Sequence, residues 1–594
     1  MHYLVEKTFE RRGITPEFLE NIENYYHSIP DNMDSMCHSL RDAYLKHRHI
    51  VLIPDFDMDG VCSGVCGYSG FCELGFYFSL YLPDVSKGYG FGPDDIIKIK
   101  QKWPDVEIIM TCDVGITCYD GINYAKAIGL DVLITDHHLG SMNNGADVVV
   151  DPSATASTYS NVFGHSSICG VHVIWQILYE YASTYGTEEQ RNNIERLMVL
   201  VGIGTVTDIM PVICENRKAI KHSIKILKWL MPTDDVVEKY SSFDEYVKTP
   251  LSGYHSLGKS EQYNTLFYGI QSMLWYFKTE RHYDSHKIDE DFFGYLLGPM
   301  FTSIKRMGAD IDLAFGVFFD KQNTYDNIKK LDELNDERKK LVADELLALK
   351  ELPQPYAPFI YLTDASAGLL GLLAAKLMDV SGLPTMVFNR TALDDGRLHG
   401  SGRSIDCYDF EDAMKRFVAD MNIKDIVMKG HAHAFGISTT DNAGVLSSFY
   451  MWLLADTADI AAEITDQDPL ALADFVVGST PDCDVDFDIF TLDDYFHEIN
   501  KYRPFGKGFF KPCIGIRATK DDMKSFPWFI MGRNSQHAKF CHEEGLDVII
   551  WNGAGDTYFC KDGFSALGHL QYTEFGGESQ LSFIIDSFVE VSNA

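Results

Sequence analysis

The sequence predicts an α/β protein of several domains, and three observations support this fold class. Over the first 230 residues, strand-like apolar runs alternate with helix-like segments at intervals of roughly 25 to 40 residues, as in βαβ units. The runs are almost continuously aliphatic, as expected of parallel strands that are covered on both faces. A chain of 594 residues also exceeds what one hydrophobic core usually fills.

The first part of the chain is expected to form one parallel sheet with helices on its faces. The apolar runs are residues 50–53, 108–110, 132–134 and 197–206, and the helix-like segments are residues 60–75 and 119–128. Open parallel sheets bind ligands beyond the carboxyl ends of their strands. We therefore expect the residues that follow the four runs to share one crevice. Residues 231–290 lose this rhythm, and the pattern does not place them.

The rest of the chain predicts three further parts. A charged helical pattern covers residues 323–352 and is followed by Pro353, so we expect a long helix that bridges two domains. A second α/β pattern with two glycine-rich turns comes next, at residues 359–362, 369–379, 384–388, 400–404 and 430–436. Short alternating runs from about residue 478 onward predict a small antiparallel β domain, in the form of a barrel.

Composition and charge narrow the class of function. No apolar run approaches the roughly 18 residues needed to span a bilayer, and the first residues lack the pattern of a signal peptide. The 13 cysteines follow no framework spacing, so we expect reduced thiols in a cytoplasmic protein. The formal charge of −35 argues against non-specific binding to duplex DNA, because proteins that bind phosphate backbones usually carry a basic surface.

Each of the four apolar runs leads to carboxylates or histidines. These residues are Asp55, Asp57, Asp59, Asp113, Asp136, His137, His138 and Asp208. An extended backbone would point the alternating Asp55, Asp57 and Asp59 the same way, and hard divalent cations prefer such carboxylate oxygens. Imidazole ligands shift the preference from Mg²⁺ towards Mn²⁺. A second ion about 3.5 to 4 Å from the first would help to activate a water for phosphoryl displacement, with Asp113 placed to bridge the two ions.

Each motif alone has a plainer interpretation. An Asp-x-Asp-x-Asp-Gly string also begins calcium loops, but such loops need a bidentate Glu at the twelfth position, which is Cys66 here. An Asp-His-His string is more often a helix cap or a surface cluster. Cys62 and Cys66 lie four residues apart, which favours helix packing over a zinc site. Four acidic motifs in order at the ends of apolar runs favour the metal interpretation.

The motifs resemble those of a known family. The strings Asp55-x-Asp57-x-Asp59-Gly60, Asp113, Asp136-His137-His138 and Asp208 are similar to the motifs of the DHH phosphoesterase superfamily. Further stretches resemble its RecJ family of single-strand-specific 5′→3′ exonucleases; they are Gly88-Tyr89-Gly90 and residues 202–211, 334–338, 400–404, 430–431 and 504–508. The resemblance implies a DHH domain at 1–320 with an elaboration at 231–290, a linking helix at 321–352, a DHH-associated domain at 353–475 and an OB-fold-like domain at 476–594.

The resemblance also implies roles for individual residues. Two Mn²⁺ ions, with Mg²⁺ as the other candidate, would be held by Asp55, Asp57, Asp59, Asp113, His137 and Asp208. His138 would face the scissile phosphate, and Asp136 would orient the histidines. Phosphates would be held from the second domain by Arg403, Ser404, Gly430 and His431. The catalytic set implied in this way is Asp113, His137, His138 and Arg403.

Two places depart from the RecJ pattern. Where that family carries an Arg and an Asn after a Gly-Pro pair, this chain has Met300 and Thr302, with Lys305 and Arg306 close by. The family's His before the glycines of the second domain is replaced by Ser366. These changes bear on the strength of substrate binding rather than on phosphodiester chemistry.

Three functional hypotheses follow. The first is a metal-dependent exonuclease that releases nucleotides from the 5′ end of single-stranded DNA, in repair, recombination or replication, with proteins of those processes as partners and no membrane partner. The second is a DHH phosphodiesterase for short oligonucleotides or cyclic dinucleotides, which would suit an acidic surface. The third is a non-catalytic replication scaffold, which would be expected to have lost metal ligands, whereas every ligand position is filled here.

Overall fold

The computed structural model divides into two compact units, Met1–Asn24 with Thr465–Ala594, and Tyr25–Ile464. It describes residues 2–23, 29–84, 89–155, 157–160, 167–248, 261–391, 396–430, 432–440, 442–458, 469–480, 483–525, 528–532, 537–542, 545–551, 563–575 and 578–591. The first 24 residues were expected to belong to the N-terminal domain. In the structure, Arg12 binds Asp474 through Nε and Nη2 at 2.7 and 2.6 Å, so these residues pack with the C-terminal segment. The predicted boundaries after residues 320, 352 and 475 stay predictions.

Helices make up much of both units. The α-helices of the described residues are, in chain order, α1 Tyr3–Arg11, α2 Pro16–Asn21, α3 Met33–Lys46, α4 Met58–Leu74, α5 Pro93–Lys102, α6 Tyr119–Ala127, α7 Gly170–Tyr185, α8 Glu188–Arg196, α9 Met198–Thr207, α10 Cys214–Leu230, α11 Asp234–Lys239, α12 Phe243–Tyr246, α13 Glu261–Glu280, α14 Gly298–Met307, α15 Asp312–Phe319, α16 Thr324–Glu351, α17 Leu370–Ser381, α18 Phe410–Met421, α19 Ala443–Asp456, α20 Ile489–Asn500 and α21 Lys520–Ser525. A π-helix, Phe292–Leu297, leads directly into α14. Within the described chain, no helix combines the length and apolarity needed to cross a bilayer.

The strands form three separate sheets. In chain order they are β1 His49–Pro54, β2 Phe78–Leu80, β3 Val106–Cys112, β4 Asp131–Thr135, β5 Val148–Val150, β6 Ile360–Thr363, β7 Thr385–Asn389, β8 Arg397–Arg403, β9 Val427–Gly430, β10 Ala434–Thr440, β11 Phe475–Gly478, β12 Ile514–Thr519, β13 Phe529–Met531, β14 His537–Cys541, β15 Asp547–Ile550, β16 Gly563–Phe575 and β17 Glu578–Val591.

The first sheet confirms the predicted α/β fold. Its order is β2-β1-β3-β4-β5, and all four pairings are parallel. The predicted runs at 50–53, 108–110 and 132–134 lie in β1, β3 and β4. These strands are almost wholly buried, because helices cover both faces and each face therefore needs apolar side chains. The carboxyl ends of β1, β3 and β4 consequently share one edge of the sheet.

The fourth apolar run is a helix, contrary to the expectation that it would end at the sheet edge as a strand. Residues 198–205 of α9 are all buried, so the segment is apolar on every side. Periodicity cannot distinguish such a helix from a buried strand. Because α9 packs against α4, α7 and α10, it still brings Asp208, the residue that follows it, to the site described below.

The second and third sheets are mixed. The second has the order β6-β7-β8-β10-β9, in which only β6 and β7 pair in parallel. The predicted linking helix corresponds to α16. The third sheet has the order β11-β12-β16-β17-β15-β14-β13. It was expected to be antiparallel throughout, but β11 pairs with β12, and β15 with β17, in parallel.

The predicted glycine-rich turn at 400–404 is largely strand β8. A Cβ on Gly400 would lie 2.7 Å from the Phe388 ring, and one on Gly402 would lie 2.1 Å from the Phe435 ring. The glycines therefore allow neighbouring aromatic rings to cross the strand rather than forming a turn. Of the second predicted turn, 430–436, Gly430 ends β9 and the residues from Ala434 onward belong to β10, while residue 431 lies outside the described residues.

The unplaced segment 231–290 is helical where the structure describes it. Residues 249–260 lie outside the described residues. Helix α13 packs on α4, α15 and α16, while Phe243, Tyr246 and Trp275 form a small aromatic cluster beside it. Lys278 at the end of α13 forms ion pairs with Asp234, at 2.5 Å, and with Asp284. The segment therefore adds a small core to the outside of the first domain.

We predict that Gly60→Ala destabilises the protein. An added Cβ would lie 2.4 Å from the carbonyl carbon of Asp55, so α4 would have to move away from the end of β1. Overpacking of this kind costs about 1 to 3 kcal/mol. The measurement is the urea unfolding midpoint of the full chain.

Gly67→Ala in the same helix is the matched control. Its Cβ would meet nothing closer than Cys112 Sγ at 3.4 Å, an ordinary contact. Since alanine also favours helix by about 1 kcal/mol, we expect no loss of stability. Equal midpoints for the two variants would contradict the close packing of α4 on Asp55.

Candidate metal centre

The first acidic motif lies where β1 gives way to α4. Asp55 directly follows the strand, Asp57 caps the helix by accepting a hydrogen bond from Gly60 N–H at 3.0 Å, and Asp59 lies in the first helical turn. The backbone is therefore not extended from Asp55 to Asp59, contrary to the sequence expectation. The carboxylates converge because the helix begins at Met58 and turns Asp59 back towards the sheet edge.

Asp59 is held by the N-terminus of α7. Its Oδ2 accepts a hydrogen bond from Gly170 N–H at 2.7 Å, and its Oδ1 accepts one from Val171 N–H at 3.2 Å. A Cβ on Gly204 of α9 would lie 2.3 Å from Asp59 Oδ1, and one on Gly170 would lie 2.2 Å from Asp113 Oδ1. Glycine at these two positions lets α7 and α9 approach the carboxylates.

Asp113 follows β3 in a left-handed conformation, with φ of +68°. This conformation is uncommon for a residue with a side chain and is often found at functional sites. The residue is 1% exposed, and its Oδ1 accepts no hydrogen bond from the described residues. That oxygen lies 3.1 Å from Nε2 of His137. Asp113 thus presents a buried carboxylate oxygen to which a cation can bind.

His137 connects Asp113 with the other acidic residues. Besides Asp113, its Nε2 lies 3.4 Å from Asp208 Oδ2 and 3.8 Å from Asp59 Oδ2. Three overlapping groups have ligand atoms within 4.8 Å of one another; they are Asp113, His137 and His138; Asp59, His137 and Asp208; and Asp55, Asp57 and Asp113. The structure therefore brings together all six predicted metal ligands.

The electrostatics of this cluster favour bound cations. Burial, followed by the charges of neighbouring carboxylates, raises the pKa of Asp55 and of Asp113 well above the usual value. The same causes raise the pKa of Asp59 to about 7. Burial lowers the pKa of His137 to about 4, so its imidazole is neutral and can act as a ligand. A set of carboxylates and one neutral imidazole suits Mn²⁺ or Mg²⁺, and these ions would relieve the repulsion.

His138 belongs to a separate hydrogen-bonded group. Its Nδ1 lies 2.7 Å from Asp136 Oδ1 and 2.9 Å from the Tyr89 hydroxyl. Burial alone would lower the pKa of His138, but the hydrogen bond and charge of Asp136 raise it to about 9. Asp136 also accepts hydrogen bonds from the backbone N–H groups of Ile116 and His137. Asp136 thus orients a cationic His138 and does not itself join the three ligand groups.

Arginines gather on the side of the second sheet. Arg403 Nη1 donates hydrogen bonds to Gly402 O at 2.8 Å and to Ser401 Oγ at 3.3 Å. Burial, and then the charges of Arg338 and Arg403, lower the pKa of Arg306 to about 10. Among the described residues, none of these three arginines forms an ion pair with a carboxylate. A group of arginines without carboxylate partners is suited to binding an anion.

The other predicted phosphate-binding residues stay predictions. Ser404 is buried, and its hydroxyl donates a hydrogen bond to Tyr408 O at 2.7 Å. Gly430 ends β9 with φ of +133°, where a Cβ would meet Ala434 O at 2.8 Å. His431 lies outside the described residues. The geometry favours Ser401 over Ser404, because Ser401 Oγ lies beside the Arg403 guanidinium.

Four neighbours of this site were not among the site residues predicted from the sequence; they are Tyr89, Arg306, Arg338 and Ser401. The Gly88-Tyr89-Gly90 string and the Ser401-Gly402-Arg403 string carried a signal, since each lies inside a motif that the resemblance rested on. Arg338 lies in the 334–338 stretch of the resemblance and Arg306 lies beside the departing stretch at residues 300–302, but only the packing of α14 against α16 shows that both lie near Arg403.

Comparison with known proteins agrees with this geometry. Residues 49–205 match the N-terminal domain of the DHH family, and residues 481–587 match the RecJ OB domain. The chain therefore resembles the DHH family in its first part and RecJ in its C-terminal part. Both family matches confirm the resemblance inferred from the motifs.

Two curated relatives of this chain share one name with each other. The single-stranded-DNA-specific exonuclease RecJ of Haemophilus influenzae is 23% identical over 587 residues, which cover 92% of this chain and 88% of the relative. The protein of that name from Salmonella typhimurium is 27% identical over 438 residues, which cover 69% of this chain and 67% of the relative. The first alignment spans nearly the whole of both chains.

A solved structure has the same fold. RecJ of Thermus thermophilus in complex with Mn²⁺ superposes with a TM-score of 0.68 at 16% identity and covers 99% of this chain and 76% of its own. At this identity the likeness concerns the fold alone. It agrees with the order of α/β sheets followed by a β-rich C-terminal domain.

We predict that Asp113→Asn stabilises the metal-free protein and removes most of the stabilisation by Mn²⁺. The folded state raises the pKa of Asp113, so ionising this carboxyl above its unfolded pKa, about 4, costs stability. In EDTA the gain is therefore expected to be absent near pH 4 and to grow as pH rises towards 8, where the unfolding midpoint of the variant should lie above that of the wild type.

Thermal unfolding midpoints in EDTA and in MnCl₂ measure both effects. Asp120→Asn removes an exposed carboxylate from α6 and is the control. It is expected to behave as the wild type in both buffers. A variant at Asp113 that still gains as much stability from Mn²⁺ as the wild type would contradict the assigned ligand role.

Proposed function

We propose that the chain is a metal-dependent exonuclease that hydrolyses phosphodiester bonds of single-stranded DNA from the 5′ end, in the cytoplasm and in DNA repair, recombination or replication. The observation that carries this proposal is the buried cluster of Asp55, Asp59, Asp113 and His137, in the same compact unit as a group of arginines that form no ion pair with a described residue. The relatives named single-stranded-DNA-specific exonuclease support the choice of substrate. Proteins of replication and repair are proposed as partners.

The carboxylates and His137 supply the metal-binding half of the site. Two Mn²⁺ ions, or Mg²⁺ in their place, would be held by Asp55, Asp57, Asp59, Asp113, His137 and Asp208. When bound, such ions supply Lewis-acid activation of water and neutralise charge on a phosphate. The chain itself contributes preorganisation, because Asp59 is already fixed by two backbone N–H groups and Asp113 by its left-handed backbone.

His138 and Arg403 supply the phosphate-binding half. Asp136 and Tyr89 occupy the Nδ1 side of His138, so its Nε2 is the nitrogen that a phosphate oxygen can approach. A cationic imidazole at that place donates a hydrogen bond to the oxygen and stabilises the charge that develops on phosphorus oxygens. Arg403 offers a guanidinium whose other donors are not used by a described carboxylate.

A second candidate is a phosphodiesterase for short oligonucleotides or cyclic dinucleotides. The formal charge of −35 favours it, because a small substrate needs no extended basic surface. The match of residues 481–587 to the RecJ OB domain favours the exonuclease, because OB folds bind oligonucleotides. The scaffold hypothesis is less supported, since the cluster retains all six predicted ligands.

One assay separates the candidates. Purified protein with Mn²⁺ is offered 5′-labelled single-stranded DNA, duplex DNA, dinucleotide and cyclic dinucleotide. We expect mononucleotides from the single strand, no degradation of the duplex, and no activity after EDTA or Asp113→Ala. Cleavage confined to the dinucleotides would overturn the exonuclease proposal in favour of the phosphodiesterase. Absence of hydrolysis with Mn²⁺ bound would favour the scaffold.

We predict that Arg403→Ala lowers kcat/KM for single-stranded DNA by roughly 10- to 150-fold, the effect of losing a hydrogen bond to a charged group worth about 1.5 to 3 kcal/mol. Arg403→Lys keeps the charge but not the guanidinium fork, so it should recover only part of the loss. Arg390→Ala is the control, because that exposed guanidinium lies 3.6 Å from Asp364 in the same domain. An Arg403→Ala variant with wild-type kcat/KM would exclude the phosphate-binding role.

A further inference from the structure

Lys305 lies next to the metal cluster and is not part of any motif assigned above. It belongs to α14, and its Nζ lies 3.8 Å from the centre of the Phe56 ring. Phe56 is the residue between Asp55 and Asp57 and is 8% exposed. The ammonium group is therefore near both carboxylates, and their charges act on it.

The charge of Lys305 has no partner among the described residues. No described carboxylate lies within 4.0 Å of its Nζ, and no described group accepts a hydrogen bond from it, although the protein carries 86 acidic residues and 51 Lys and Arg. Lys278, by contrast, forms two ion pairs, and Lys126 pairs with both Asp131 and Asp147. The Phe56 ring holds the ammonium beside the cluster without neutralising it.

Helix α14 also connects the cluster with the arginine group. Lys305 faces Phe56, and the next residue, Arg306, lies near Arg338 and Arg403, whose charges lower its pKa. Two neighbouring cations on one helix therefore point towards the two halves of the site.

Met300 and Thr302, where this chain departs from the RecJ pattern, lie on the same helix and cannot supply this charge. Met300 is fully buried, and the Thr302 hydroxyl donates its hydrogen bond to Gly298 O at 2.8 Å. Lys305 comes three residues after Thr302, close to it on the helix surface. Lys305 is exposed to solvent, so its ammonium is accessible to a ligand.

We propose that Lys305 is a phosphate-binding residue of this site, whose ammonium contacts a non-bridging oxygen of the internucleotide phosphate that is cleaved. The proposal rests on the proposed exonuclease function and adds one specificity-determining residue to it. Metal ions at the carboxylates would draw a phosphate to them, and Lys305 is the cation that already lies at their edge. The competing role is a counter-charge that only reduces repulsion between Asp55 and Asp57.

The experiment compares Lys305→Met with the wild type for binding of single-stranded oligonucleotides, with Ca²⁺ in place of Mn²⁺ to prevent cleavage. Each oligonucleotide carries one neutral methylphosphonate, at the first, second or third linkage from the 5′ end. For the unmodified strand we expect the variant to bind about tenfold more weakly, with a slope of log affinity against log salt that is shallower by about 0.7.

The position of the neutral linkage decides the assignment. We expect the tenfold difference between wild type and variant to vanish when the methylphosphonate is at the first linkage and to persist at the second and third. Lys305→Arg should retain most of the affinity. Lys321→Met is the matched control, because Lys321 also lies over an aromatic ring, that of Tyr268 at 4.8 Å, away from the motif of Asp55 and Asp57.

Every other result overturns the assignment. Equal affinities of Lys305→Met and wild type, or a loss that is the same for all linkage positions, would reject contact with the cleaved phosphate. A change confined to the Mn²⁺ titration, with unchanged DNA binding, would show the counter-charge role. If the wild type neither binds nor cleaves single strands, the proposed function itself fails, whereas a failure of the variant series alone rejects only Lys305.

Discussion

The repulsion between buried carboxylates is the constraint on which the rest of this structure depends. Asp55, Asp59 and Asp113 are each at most 4% exposed, and each has a raised pKa because burial and neighbouring charges oppose ionisation. A fold that keeps such groups together must compensate for them. Here the compensation comes from backbone N–H donors, from a neutral imidazole and, in the proposed function, from divalent cations.

The groups that stabilise the buried carboxylates also determine how the helices pack around the cluster. The N-terminus of α7 can donate to Asp59 only because Gly170 and Gly204 lack side chains that would occupy the space of the carboxylates. The left-handed conformation of Asp113 turns its side chain towards His137 rather than along the strand. The carboxylates proposed to bind metal therefore also determine how closely α7 and α9 pack and which backbone conformation Asp113 adopts.

A strongly acidic protein can still present a local site for a phosphate chain. The negative charge of −35 is spread over the whole sequence. Arg306 of α14, Arg338 of α16 and Arg403 of β8 are concentrated in one place. Because charges separated by more than a Debye length of about 8 Å are largely screened at physiological salt, the local group outweighs the distant surface. Net charge alone is thus a poor guide to whether this protein binds a single strand.

The C-terminal unit contains a segment that is distant in sequence. Thr8 of α1 contacts Tyr495, and Arg12, directly after α1, contacts Asp474, so the first helices complete a unit whose strands come from the other end of the chain. No local pattern in the first 24 residues predicts that they pack with the C-terminal segment. This packing depends on ion-pair and hydrogen-bond partners more than 460 residues apart.

The sequence by itself determined the α/β class, the strands β1, β3 and β4 and the long helix α16, because apolar runs and charged helical patterns are local. It also predicted six metal ligands, whose side chains the fold brings into one cluster. Only the tertiary structure decided that residues 198–207 are a helix, that α4 begins at Met58 and that Lys305 lies over Phe56. The reason is physical. A segment that is buried on all sides has no hydrophobic periodicity from which its conformation could be predicted. The contact of Lys305 with Phe56 joins residues about 250 positions apart, and the local sequence at either position does not predict the other.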